Sequence, residues 1–269
     1  MRKILFCVFV LIVCSSCGND SKNNETQNIL ERFIAHAGGE IEGHNYTNSL
    51  EAIDLSYSKG CRLFEIDIIE TSDGKLVSAH DWVHFKQTIN YQGEKVGDTP
   101  LTEQEVLSAM VYGKYTPMNM EMINDWFEKH SDAIFVTDKI NDPDRISDEF
   151  KFKDRLIMEL FSWEAIKKAI ELGITALVSE NLIFETENIE KKLDDLKITH
   201  IGMPRDRITD NKDLLKRLKA KGIKNYVWYL EKPINGVPAE NYVWENEMEY
   251  CYGMYANSLD IIESLLTNR

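Results

Sequence analysis

Two hydrophobic periods alternate along this chain. Short apolar runs rich in β-branched and aromatic residues recur: Phe33-Ile34-Ala35, LFEIDIIE (63–70), LVSAH (76–80), AIFVTD (133–138), LIMELF (156–161), ALVS (176–179), HIGM (200–203), YVWYL (226–230) and YGMYAN (252–257). Bounded by turn residues, such runs read as buried strands. Between them the spacing becomes helical, over 48–59, 119–130, WEAIKKAIELG (163–173) and about 185–196 and 210–221. Asn48 is the expected N-cap of the first helix, with Glu51 at its third position and Gly60 ending it. Residues 82–116 have no clean period and read as a long excursion with a helix near 102–110.

Strands alternating with helices imply a parallel sheet covered by helices. A chain of 269 residues fits one domain of that kind, and a TIM (β/α)8 barrel is the leading architecture. Nine candidate strands exceed the eight a barrel needs, and ALVS is the run expected to lie outside it. The alternative is an open doubly wound sheet, but no Gly-rich fingerprint follows the first strand.

The N-terminus changes the picture of where the domain begins. MRKILFCVFVLIVCSSC carries two basic residues, a short apolar run and small residues before Cys17. It reads as a secretory signal, the run being too short to span a bilayer. The Ser15-Ser16-Cys17 junction resembles a bacterial lipoprotein signal, with Cys17 as the lipidated new N-terminus. The plain alternative is a cleaved signal without lipid. The expected organisation is a signal over 1–16, a polar tether over 17–29 and a barrel over 30–269, anchored at a bacterial cell envelope. Cys61 and Cys251 precede strands that a barrel would not make neighbours, so two buried free thiols are expected. A net charge of −14 argues against a nucleic acid or an anionic membrane surface as the main partner.

Candidate chemistry gathers at the C-terminal ends of the expected strands, where barrel enzymes work. Glu65 and Asp67 are two apart on one strand and share a face. Turned into a barrel, two carboxylates need a cation, and hard oxygen ligands select Mg²⁺ or Ca²⁺. Turned to solvent, they need nothing. His36 and His80 each end a strand, and paired imidazoles suit general acid–base work, whereas a lone strand-end histidine is more often structural. Asp81 is placed to orient an imidazole or to cap a turn. Asp138 ends its strand as a third carboxylate, and Lys139 supplies a cation, or both belong to an ordinary surface loop. Trp228 reads equally as pocket wall or barrel core, and Glu159 as an inward ligand or, by a small margin, an outward surface acid.

In this order, IAH-x-GG (34–39), TNSLEA (47–52), FEID (64–67), TSDG (71–74) and AHD (79–81) resemble the glycerophosphodiester phosphodiesterase family and its phosphatidylinositol-specific phospholipase C-like relatives. Weaker matches continue at VTDK (136–139), YVW (226–228) and GMYAN (253–257). The resemblance implies a TIM barrel that cleaves phosphodiesters with one divalent cation. It implies His36 and His80 as general acid and base, Glu65, Asp67 and Asp138 as metal ligands, and a small phosphodiester or lipid headgroup as substrate. Three departures stand out. Ala37 replaces an arginine that usually binds phosphate, Thr47 replaces a glutamate, and Ala256-Asn257 replaces Thr-Asp. They point to a divergent, phospholipase C-like branch. Lys139 stands one residue after Asp138 where the family has a lysine two on, so a regular strand would turn it away from the site. Gly38 and Gly39 are expected to make room beside a phosphate. The competing reading is a catalytically degenerate surface protein that binds an anionic or phosphorylated ligand. A sugar-active barrel is disfavoured, because no second well-placed acid–base pair of carboxyls is visible.

Overall fold

The computed structural model describes residues 29–89 and 97–267. The signal, Cys17 and the tether up to residue 28 lie outside the described residues. Among those described, no helix is long and apolar enough to cross a membrane.

Eight parallel strands close into a barrel: β1 (Phe33–Ala35), β2 (Leu63–Glu70), β4 (Ile134–Asp138), β5 (Leu156–Leu160), β6 (Thr175–Val178), β7 (His200–Pro204), β8 (Lys224–Trp228) and β9 (Gly253–Ala256). Pairing of β1 with both β9 and β2 completes the ring. The chain is therefore a single-domain TIM barrel. The ninth strand, β3 (Leu76–Ser78), is antiparallel to the end of β2 and stands outside the ring. ALVS was expected to be the outsider, but it is β6, paired with β5 and β7. The misplacement has a local cause. Ser72-Asp73-Gly74 is a tight turn, and a turn that short returns the chain antiparallel and leaves no length for a parallel crossover.

Helices cover the outside: α1 (Leu50–Ser58), α4 (Met120–Lys129), α5 (Pro143–Glu149), α6 (Trp163–Glu171), α9 (Ile208–Ala220), α10 (Ala239–Asn246) and α11 (Asp260–Thr267). The single helix expected near 185–196 is two, α7 (Glu180–Glu185) and α8 (Ile189–Asp195), broken at Asn188, whose φ is +55°. The excursion 82–116 holds α2 (Trp82–Thr88) and α3 (Glu103–Leu107), whose Trp82, Phe85 and Val106 join Leu101 and Tyr115 in a second apolar cluster shared with Ala52 and Val77. Cys61 and Cys251 are free and buried, as expected.

The strand period of two separates two cores. Phe33, Phe64, Phe135, Met158, Val178, Met203, Val227 and Met254 point outward, against the helices. Ile34, Leu63, Val136, Ile157, Leu177, Tyr226 and Tyr255 fill the barrel interior. One further step of two along these strands reaches His36, Glu65, Asp138, Glu159 and Trp228, so the apolar plug is the floor on which the polar layer stands.

Candidate active site

The polar layer lines a pocket of about 470 Å³ at the C-terminal mouth, bounded by His36, Tyr46, Glu65, Asp67, His80, Asp138, Lys139, Glu159, Trp228 and Tyr255 among others. All eight candidates read from the sequence, His36, His80, Glu65, Asp67, Asp138, Lys139, Trp228 and Glu159, are on this wall.

Parallel pairing of β2 and β4 sets Asp67 directly opposite Asp138. With Glu65 one step below, the three carboxylates offer oxygens within 4.8 Å of one another. Burial, then repulsion from its neighbours, pushes the Glu65 carboxyl well above its ordinary range and the Asp67 carboxyl up to about 6. Glu65 Oε2 accepts the Ala37 N–H at 2.6 Å, while Glu65 Oε1 is buried with no partner. Three crowded carboxyls with an orphaned oxygen form an all-oxygen donor set that fits a hard divalent ion. Asp67 is steadied by Asn48, whose Nδ2 donates to Oδ2 at 2.8 Å and whose Oδ1 accepts the Asp67 N–H at 3.0 Å. Asn48 is thus not the cap of α1. Ser49 caps it by accepting from Ala52 N, which frees Asn48 to reach the site.

The two imidazoles have different partners. His36 Nδ1 meets Asn257 Oδ1 at 3.0 Å, and burial above all holds its pKa down at about 4. His80 Nδ1 meets the Asp81 carboxylate at 2.7 Å. Asp81 also caps α2 by accepting from His84 N, so both roles expected of it are filled.

Lys139 departs from expectation. Its φ is +69°, so the strand ends in a left-handed step that swings the side chain inward. Its Nζ lies 3.3 Å from Asp138 Oδ2 and 3.8 Å from Asp67 Oδ1. Glu159 also faces the pocket, in step with Ile157 below it. It accepts from the Tyr255 hydroxyl at 3.0 Å, and burial raises its pKa to about 8. The Trp228 ring lies over Gly202, where a Cβ would meet it at 2.6 Å, so it is pocket wall held against the core. Gly38 and Gly39 turn away from the site. Their missing Cβ atoms would meet Ile53 of α1 at 3.2 Å and the Ser56 hydroxyl at 2.3 Å. They let the turn after β1 pack close against that helix and make no space for a ligand.

Several solved structures share this shape. A glycerophosphodiester phosphodiesterase from Thermotoga maritima superposes with a TM-score of 0.65 at 19% identity, over 88% of this chain and 97% of that one. A second, from Parabacteroides distasonis, gives 0.69 at 17% identity over 88% and 86%. The chain has the fold of the glycerophosphodiester phosphodiesterases. An Oleispira antarctica phosphodiesterase, determined with its product sn-glycerol-3-phosphate, gives 0.65 at 16% identity over 90% and 99%. No family model matches the sequence, and no curated protein sequence matches it either.

Tyr46 and Tyr255 are among the wall residues that escaped the sequence reading. Tyr46 lies in a loop without periodicity. Tyr255 stood in a quoted strand, and counting by twos from the interior Gly253 would have turned it inward.

Proposed function

We propose that this protein is a metal-dependent phosphodiesterase, of glycerophosphodiester phosphodiesterase or phospholipase C-like type. The observation that carries the reading is the meeting of two differently partnered imidazoles, three clustered carboxylates and one inward lysine in a single pocket. The phosphodiesterase from Oleispira antarctica, whose product is sn-glycerol-3-phosphate, supports a small phosphodiester as substrate class.

In this reading Glu65, Asp67 and Asp138 hold one divalent cation, Mg²⁺ or Ca²⁺. When bound, that ion supplies positive charge that neutralises the phosphodiester and the charge developing in its transition state. Lys139 adds a second positive charge beside the same oxygens and takes the part of the arginine missing at Ala37. The partners of the histidines divide their roles. With Asn257 Oδ1 turned to its Nδ1, His36 is protonated there and presents a bare Nε2, and burial keeps it neutral, so it is the base. It takes a proton from water or from a hydroxyl of the substrate itself. His80 rests on the Asp81 carboxylate, which orients its ring, and takes the part of the acid that protonates the leaving alcohol. Each proton transfer of this kind is worth about 10²–10⁴-fold in rate. Trp228 and Glu159 border the substrate. We further propose that Cys17 anchors the domain by lipid to a bacterial envelope, with residues 18–28 as tether.

The test is turnover of a panel of glycerophosphodiesters and phosphoinositide-like lipids with added Mg²⁺ or Ca²⁺. Alcohol release that stops with chelator and in His36→Ala is expected. An intact cation site with no turnover across the panel would sink the reading. Ala37 favours one rival, a degenerate fold that binds a phosphorylated ligand. Calorimetry separates the two, because binding that survives loss of both histidines belongs to the rival.

A further inference from the structure

His36 directly follows β1, and His80 lies two residues past the end of β3. Their second nitrogens are held separately, by Asn257 and by Asp81. Between them stands Tyr46. Its ring meets His36 edge-on at 4.7 Å between centroids and 70°, and meets His80 at 5.2 Å and 83°. Among the described residues, no other ring touches both.

The loop is built to hold it there. Tyr46 has φ +57° and Asn48 has φ +48°, two left-handed residues on either side of buried Thr47. Such conformations are unfavourable in a non-glycine residue and persist where surrounding contacts dictate them. Here Asn48 is bound to Asp67 and its N–H to Ala37 O at 3.1 Å, which fixes one end of the turn. At the other end the Tyr46 hydroxyl crosses the mouth and donates to Glu231 Oε1 at 3.1 Å. Burial, with Glu231, Glu65 and Asp67 nearby, raises the phenol pKa, so the hydroxyl stays a neutral donor.

We propose that Tyr46 is a positioning residue: its ring is the shared wall that sets the His36 and His80 imidazoles at the spacing a phosphodiester needs. The inference rests on the phosphodiesterase reading for its kinetic consequence, but not for its structural one. The ring does the positioning, and the hydroxyl only keeps the ring from swinging out.

Tyr46→Ala and Tyr46→Phe in the full chain test this with two readouts. Steady-state kinetics on the phosphodiester that the wild type turns over should show kcat falling about 10–100-fold in Tyr46→Ala, the scale of a small misplacement of reacting groups, with KM little changed. Tyr46→Phe should restore most of kcat. A Phe variant as damaged as the Ala variant, or an Ala variant with unchanged kcat, overturns the proposal. Histidine ring resonances give the second readout without turnover. In Tyr46→Ala those of His36 and His80 should both move, while those of His130 and His200 stay. Unmoved His36 and His80 resonances overturn the proposal whatever the activity. Moved resonances in a protein that cleaves nothing uphold the positioning and count against the phosphodiesterase reading alone.

Discussion

Asn48 grips Asp67 with both halves of its amide, donating from Nδ2 to the carboxylate at 2.8 Å and accepting the Asp67 backbone N–H at 3.0 Å. Both residues are buried, so neither bond can be replaced by bulk water. The amide therefore fixes where one carboxylate of the acidic cluster points. Groups behind a metal ligand commonly govern affinity by about 10–100-fold.

Asn48→Ala should accordingly weaken Mg²⁺ or Ca²⁺ binding by about that factor in calorimetry. It should also lower stability by about 1–3 kcal/mol, because the buried Asp67 N–H loses its acceptor. Full cation affinity in a folded Asn48→Ala protein would remove Asn48 from the site.

The assignment of His36 as base turns on its neutral partner. Asn257→Asp places a carboxylate where an amide now accepts from Nδ1. That stabilises imidazolium and raises the His36 pKa from its depressed value of about 4. A base with a higher pKa is protonated earlier as pH falls. The acid limb of the pH–rate profile should then move upward by about one unit or more, with the alkaline limb unmoved. Movement of the alkaline limb instead would make His36 the acid.

The period of two carried most of this site into the sequence. Glu65 and Asp67 declared a shared face by spacing alone, and the strand ends placed His36, His80 and Asp138 at one rim. What stayed hidden depended on torsions and register. Lys139 faces inward because one residue adopts φ +69°, which no residue count reveals. Glu159 reads as surface or interior until the pairing of β5 with β4 and β6 fixes which parity faces the axis. Asn48 looked like a helix cap because asparagine and serine are equally good caps. The next residue, Ser49, took that role. The ring closure itself was legible, but the odd strand was not, since a strand returning through a tight turn and one completing a barrel have the same composition.

Lys139 separates cation binding from phosphodiester binding. Its Nζ stands 3.3 Å and 3.8 Å from oxygens of Asp138 and Asp67, the carboxylates proposed to hold the divalent ion. Removing a like charge should help the ion, while removing a positive charge should hinder the phosphodiester. Lys139→Met is expected to bind Mg²⁺ or Ca²⁺ several-fold more tightly in calorimetry. The same variant is expected to lose about 10–100-fold in kcat/KM. Loss of both affinities together would make Lys139 a structural strut.

Glu159 ties the stability of the metal-free protein to pH. Burial, with Asp138 nearby, lifts its pKa from 4.5 to about 8 against the opposing bonds from Ser179 and Tyr255. The folded chain therefore keeps a proton that the unfolded chain gives up. Stability is full near pH 4.5 and declines as pH rises toward 8, because the unfolded state binds fewer protons over that window. The loss is on the order of a few kcal/mol. Glu159→Gln keeps an uncharged group of the same shape beside the Tyr255 hydroxyl. In urea unfolding with chelator, it should match the wild type near pH 5 and exceed it at pH 8. Equal stabilities at both pH values would show that Glu159 is ionised in the folded protein and that the charge is balanced by other groups in the pocket.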